Sequence, residues 1–123
     1  MKKLLILICP VLFLSCKGQE IKGVNKIDNH QMAKALAKDV QLVDVRTPLE
    51  YSQGHIPGAL NIDYLSGQFK SKLESLDKNK PVYIYCRSGQ RSASAAREMS
   101  QLGFQQIYDL QGGIGSWEAK LER

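Results

Sequence analysis

A chain of 123 residues has room for one domain, and 43% hydrophobic with 24% charged residues are the proportions of a globular protein, which excludes repeat arrays and intrinsic disorder. The formal charge of +5 comes from 17 basic and 12 acidic residues with no basic helix or aromatic-basic stripe, so nucleic-acid binding is not expected. Three cysteines, an odd number, cannot close a disulfide framework.

The chain opens on Met1-Lys2-Lys3 and an apolar run from Leu4 to Leu14. As a helix that run would reach about 16 Å, well short of the ~30 Å hydrocarbon core of a bilayer, so it reads as the apolar region of a secretory signal. Phe13-Leu14-Ser15-Cys16 resembles the cleavage box of a bacterial lipoprotein, in which the cysteine becomes the lipidated first residue. On this reading residues 1–15 are a signal peptide, Cys16 is the lipidation site, 16–25 form a lipidated cysteine and polar tether, and 26–123 form the folded domain. The protein is then extracytoplasmic, periplasmic or at the cell surface, and anchored to a bacterial membrane by acyl chains, each buried methylene contributing about 0.8 kcal/mol. Loss of Lys2 and Lys3 with the signal leaves only a mild positive excess.

The remainder alternates between helical and strand periods. Asp28 or Asn29 caps a helix through Met32, Ala33, Leu36 and Ala37. Val40 to Val45 is a short strand, Pro48 to Ser52 one helical turn, and Ala59 to Ile62 another strand. Phe69, Leu73 and Leu76 recur at helical spacing. Asn79-Lys80-Pro81 ends that helix. Val82-Tyr83-Ile84-Tyr85 is apolar on both faces, as a central parallel strand is. Ala93, Ala96 and Met99 mark a helix stopped by Gly103. Phe104 to Leu110 reads as the last strand, and Ile114, Trp117 and Leu121 as the apolar line of a final helix. Strands and helices alternating across short loops give an α/β fold with a parallel sheet.

The chemistry is concentrated in Cys86-Arg87-Ser88-Gly89-Gln90-Arg91, between the best strand and a helix. In an open α/β sheet, ligands bind beyond the carboxyl ends of the strands. Loop N–H groups, the helix N-terminus and two arginines all favour a thiolate there, and the thiolate is the nucleophile. Gly89 permits the tight turn. Such a loop can attack phosphate, arsenate or a sulfane sulfur, and the residue types alone leave that open. No His and Cys cluster has metal-ligand spacing, so no metal is expected. Gly112-Gly113-Ile114-Gly115 lacks the Lys and spacing of a P-loop.

The six-residue loop resembles the active-site loop of the rhodanese family of sulfurtransferases. Asp44-Val45-Arg46, Glu50-Tyr51 and Gly54-His55-Ile56-Pro57-Gly58-Ala59 are similar to a second characteristic stretch of that family, and Gly112-Gly113-Ile114 with Trp117 to its closing motif. The likeness spans about 24–121. It implies a five-stranded parallel sheet flanked by helices on both faces, a persulfide on Cys86, and substrate binding by Arg87, Ser88, Gly89, Gln90 and Arg91. Asp44 and Arg46 are expected to support the loop through a hydrogen bond or ion pair. His55 belongs to a structural turn, His30 to the surface and Trp117 to the core or pocket wall. Related cysteine phosphatases have one more residue between Cys and Arg, so the four residues between Cys86 and Arg91 favour sulfur over a tetrahedral oxyanion and make a phosphatase or arsenate reductase the weaker reading. The implied reactants are a donor such as thiosulfate and a thiophilic acceptor, cyanide or a thiol, including a protein acceptor, on a monomer without cofactor. A persulfide carrier or docking module with little turnover is the competing reading.

Overall fold

The computed structural model describes residues 20–123. The signal peptide, Cys16 and the first part of the tether lie outside the described residues. Helices and strands alternate along the chain: β1 (Val24–Ile27), α1 (Asn29–Leu36), β2 (Gln41–Asp44), α2 (Pro48–Gln53), β3 (Leu60–Asn61), α3 (Phe69–Lys72), β4 (Val82–Tyr85), α4 (Gln90–Gln101) and β5 (Ile107–Leu110). The strands form one five-stranded sheet in the order β1-β5-β4-β2-β3, and every pairing is parallel.

Side chains alternate across the central strand and divide the core in two. Val82, Ile84 and Cys86 face one way and join Phe69, Leu73, Ala95, Ala96 and Met99. Tyr85 faces the other way and joins Met32, Ile56 and Leu110. Thus α3 and α4 cover one face and α1 and α2 the other, which gives the expected sheet flanked by helices on both faces. A parallel sheet covered on both sides is dry, and each fully buried Ile, Val or Met of these clusters contributes about 1.5–3 kcal/mol.

Local sequence sets most boundaries. Asp28 caps α1 in a reciprocal arrangement with Gln31. Thr47 and Glu50 do the same at α2, where Pro48 occupies the first turn. Three expectations need correction. The first strand, Val24–Ile27, starts inside the stretch read as tether and pairs with β5. The helix expected through Leu76 breaks after Lys72 into a 3-10 turn, Leu73–Ser75. The final helix does not form: Gly113–Ser116 is a 3-10 turn and Trp117 is extended. The chain then runs back to His55, where the Glu122 and His55 backbones exchange two hydrogen bonds of 2.8 Å.

Chain order also locates the site. From β2 the chain leaves toward the α2 face, and from its neighbour β4 it leaves toward the α4 face. The two carboxyl ends therefore diverge, and the crevice between them is a topological switch point.

Candidate active site

Cys86 lies one residue past β4, at that switch point, and is 1% exposed. Because it continues the Val82-Ile84 row, its side chain points under the N-terminus of α4. Gly89 caps that helix with φ +106°, a region that side-chain-bearing residues rarely adopt, and its N–H donates to Cys86 Sγ at 3.0 Å. The thiol lies 3.4 Å from Ser92 Oγ, and the Ser92 hydroxyl donates to the Gly89 carbonyl at 3.2 Å. The sulfur thus sits where a helix N-terminus and an aimed amide favour negative charge.

The loop is held from the far side by the turn after β5. Ile114 N–H donates to the Cys86 carbonyl at 2.8 Å, and Gly115 N–H to that of Arg87 at 3.4 Å. A Cβ on Gly113 would lie 2.5 Å from both carbonyl oxygens. Only glycine lets the two backbones approach this closely, which gives the Gly112-Gly113 pair a structural task. Ile114 and Trp117 pack on the tyrosine-lined core, the first of the two alternatives expected for Trp117.

The expected substrate residues separate into two groups. Arg87, Ser88 and Gln90 are exposed on the loop. Arg87 makes no ion pair among the described residues and lines an open cavity of about 330 Å³ with Arg46, Glu50, Ile114 and Leu121. Arg91, also expected to bind substrate, is paired with Glu50. Its two terminal nitrogens reach the two carboxylate oxygens of Glu50 at 2.6 and 2.9 Å. The Arg91 hydrogen bond holds the Glu50 carboxyl down at about 2, with Thr47 helping against the cost of burial. Since Glu50 also accepts from Thr47, the pair ties α2 to α4 across the mouth of the site. A partner 41 residues away is invisible to spacing arguments.

Asp44 and Arg46 form a buried ion pair, with Arg46 Nη2 at 2.6 Å from Asp44 Oδ2 and 2.7 Å from the Gly54 carbonyl. Burial alone would lower the Arg46 value, but the hydrogen bond and charge of Asp44 outweigh it and the net shift is upward. Arg46 also lies 5.7 Å from the centre of the Tyr85 ring. Burial and the nearby Asp44 raise the Tyr85 phenol, whose oxygen accepts the Ile56 N–H at 3.0 Å. The pair therefore braces Tyr85, the residue before Cys86, rather than the loop itself. His55 stacks on Tyr51 with ring centres 3.7 Å apart and bonds the Tyr51 carbonyl through Nδ1, a structural role. His30 is exposed.

Comparisons with known proteins agree with this geometry. A model of the rhodanese-like domain matches residues 28–120. A sulfurtransferase from Allochromatium vinosum is 41% identical over 96 residues, covering 76% of this chain and 88% of its own. The thiosulfate sulfurtransferase GlpE of Coxiella burnetii is 34% identical over 98 residues, covering 80% and 88%. The crystal structure of a rhodanese-like domain protein from Staphylococcus aureus superimposes with a TM-score of 0.72 at 33% identity, covering 80% of this chain and 96% of that one. With its five-stranded parallel sheet and its cysteine loop beyond the central strand, the chain belongs to the rhodanese-like domain family.

Proposed function

We propose that the protein moves a sulfane sulfur from an anionic donor such as thiosulfate to a thiophilic acceptor, cyanide or a thiol, through a persulfide on Cys86. The observation that carries this reading is the buried Cys86 sulfur receiving an amide N–H beneath a helix N-terminus at the sheet's switch point. The thiolate attacks the outer sulfur of thiosulfate. The sulfur–sulfur bond of the donor breaks, sulfite leaves with the electron pair, and Cys86 carries –S–S⁻. Cyanide or a thiolate then takes the outer sulfur and returns the Cys86 thiolate, so each half-reaction conserves charge. This is covalent catalysis in two displacements.

The groups around the sulfur have separate tasks. Gly89 N–H and the α4 terminus stabilise the anionic sulfur. Arg87, without an acidic partner among the described residues, draws an anionic donor into the mouth. Arg91, neutralised by Glu50, fixes the loop against α2. Cys86 is the one cysteine among the described residues, so no other thiol among them resolves the persulfide and the scheme uses an external acceptor. Steady-state rates with thiosulfate and cyanide varied together are expected to give parallel double-reciprocal lines. Intersecting lines would mean a ternary complex and overturn the scheme. A stable persulfide without turnover would favour the carrier reading instead.

We further infer a lipid anchor at Cys16, supported by the Lys2-Lys3 start, the apolar run and the residues before Cys16. Cys16→Ala is expected to abolish partitioning into the detergent phase; unchanged partitioning would refute the anchor.

A further inference from the structure

The sulfur chemistry leaves one buried ionisable group unused. Asp109, on β5, is 2% exposed, and its Oδ1 has no hydrogen-bond partner among the described residues. A carboxylate out of water ordinarily has both oxygens paired, so one oxygen left without a partner calls for a reason. Asp109 shares the α4 face with Ile107 and pairs in register with Ile84, two residues before Cys86. Ser92, in the first turn of α4 and fully buried, touches the thiol, and its hydroxyl is also the side-chain group that acts most strongly to hold the Asp109 carboxyl down. Its oxygen takes the Cys86 thiol at 3.4 Å, and its O–H rests on the Gly89 carbonyl at 3.2 Å. A serine hydroxyl both accepts and donates, and it turns about its Cβ–Oγ bond.

Asp109 also has an outlet of its own. It lines a cavity of about 1060 Å³ whose other walls include the exposed Lys22, Lys26 and Arg97 together with Ala93. This cavity lies on the β1 side of α4 and shares no residue with the one at the Arg87 mouth. The charged groups around Asp109 in this cavity are thus Lys26 from β1, Arg97 from α4, and Lys22 and the acidic Glu20 from the segment before β1. Burial raises the Asp109 carboxyl, the Ser92 hydroxyl and Lys26 pull it back, and it settles at about 6. A carboxyl in that range changes protonation near neutral pH.

We propose that Asp109 is a positioning residue which, through Ser92, accepts the Cys86 proton and releases it into the rear cavity. The inference rests on Cys86 acting as the nucleophile. The S–H bond breaks as an O–H bond forms on Ser92, and the original Ser92 proton passes to Asp109. Thiol plus carboxylate become thiolate plus carboxylic acid, with one negative charge before and after. Asp109 then gives its proton to water in the rear cavity. The donor-binding mouth stays free of this proton, so an anionic donor seated on Arg87 does not block activation of the sulfur.

Two groups that share a proton titrate as a pair. In the full chain in detergent, iodoacetamide alkylation read on the Cys86 peptide is expected to rise with pH in two steps. Asp109→Asn, close to isosteric, and Ser92→Ala are each expected to lose the lower step and leave one. Superimposable profiles of the unsubstituted protein and Asp109→Asn would overturn the proposal. Should the variants fold poorly, the unsubstituted protein still decides it: the carbon-13 resonance of the Asp109 carboxyl is expected to shift its titration when Cys86 is alkylated, and an unchanged titration would overturn it. Neither measurement uses thiosulfate, so failure here leaves persulfide formation standing, and failure of persulfide formation leaves this coupling standing.

Discussion

Cys86→Ser is expected to lose thiocyanate formation from thiosulfate and cyanide by about 10³-fold or more, the scale on which covalent catalysts fall when the nucleophile is removed. A hydroxyl cannot form the persulfide, and it is a far weaker nucleophile at neutral pH. The fold should survive. The serine oxygen occupies nearly the same buried site, within reach of the Gly89 N–H and the Ser92 hydroxyl that now serve the sulfur. The stability change should stay within about 1–2 kcal/mol, the range for exchanging one buried hydrogen-bonding group for another. Urea denaturation alongside the rate assay separates the two effects. A stably folded Cys86→Ser retaining a tenth of the rate would place the chemistry elsewhere.

Asp44→Asn is expected to cost about 3–5 kcal/mol of folding stability, because it strands a buried guanidinium. Arg46 is 5% exposed and Asp44 wholly buried, so water cannot replace the lost charge. Against a total of about 5–15 kcal/mol for a small domain, this is a large fraction. Asp44→Asn combined with Arg46→Met should recover part of the loss, since the double variant leaves no unpaired charge. Urea midpoints at unchanged slope measure both. A loss below about 1 kcal/mol for the single variant would mean that the pair behaves as an exposed one. Turnover should fall less than stability, since the pair contacts Tyr85 and Gly54 and not the sulfur.

How much of this was legible in the sequence depended on how local each signal is. The strand Val82–Tyr85 and the loop after it are contiguous, so an apolar run followed by Cys, Gly and Arg carried both element and site. The edge strand Val24–Ile27 was not legible, because only its first and last residues are apolar and Asn25 and Lys26 face solvent. The final segment misled for a different reason. Ile114, Trp117 and Leu121 do keep helical spacing, but Gly113 is drawn against the carbonyls of Cys86 and Arg87, and the chain beyond it runs out to pair with His55. Tertiary contact outweighed periodicity there. The charge of Arg91 can be read from sequence but its partner cannot; Glu50 is brought to it because α2 and α4 both begin beyond the carboxyl ends of the neighbouring strands β2 and β4. Ser92 and Asp109 carried no signal at all, since a serine in a helix and an aspartate in a strand acquire meaning only when folding stacks them behind the thiol.

The central claim, that Cys86 itself carries the transferred sulfur, is tested most directly by intact mass spectrometry of the protein after thiosulfate. A gain of one sulfur atom is expected, located on the Cys86 peptide, lost on adding cyanide, and absent from Cys86→Ser. The same gain in Cys86→Ser, or turnover without any sulfur on Cys86, would contradict it.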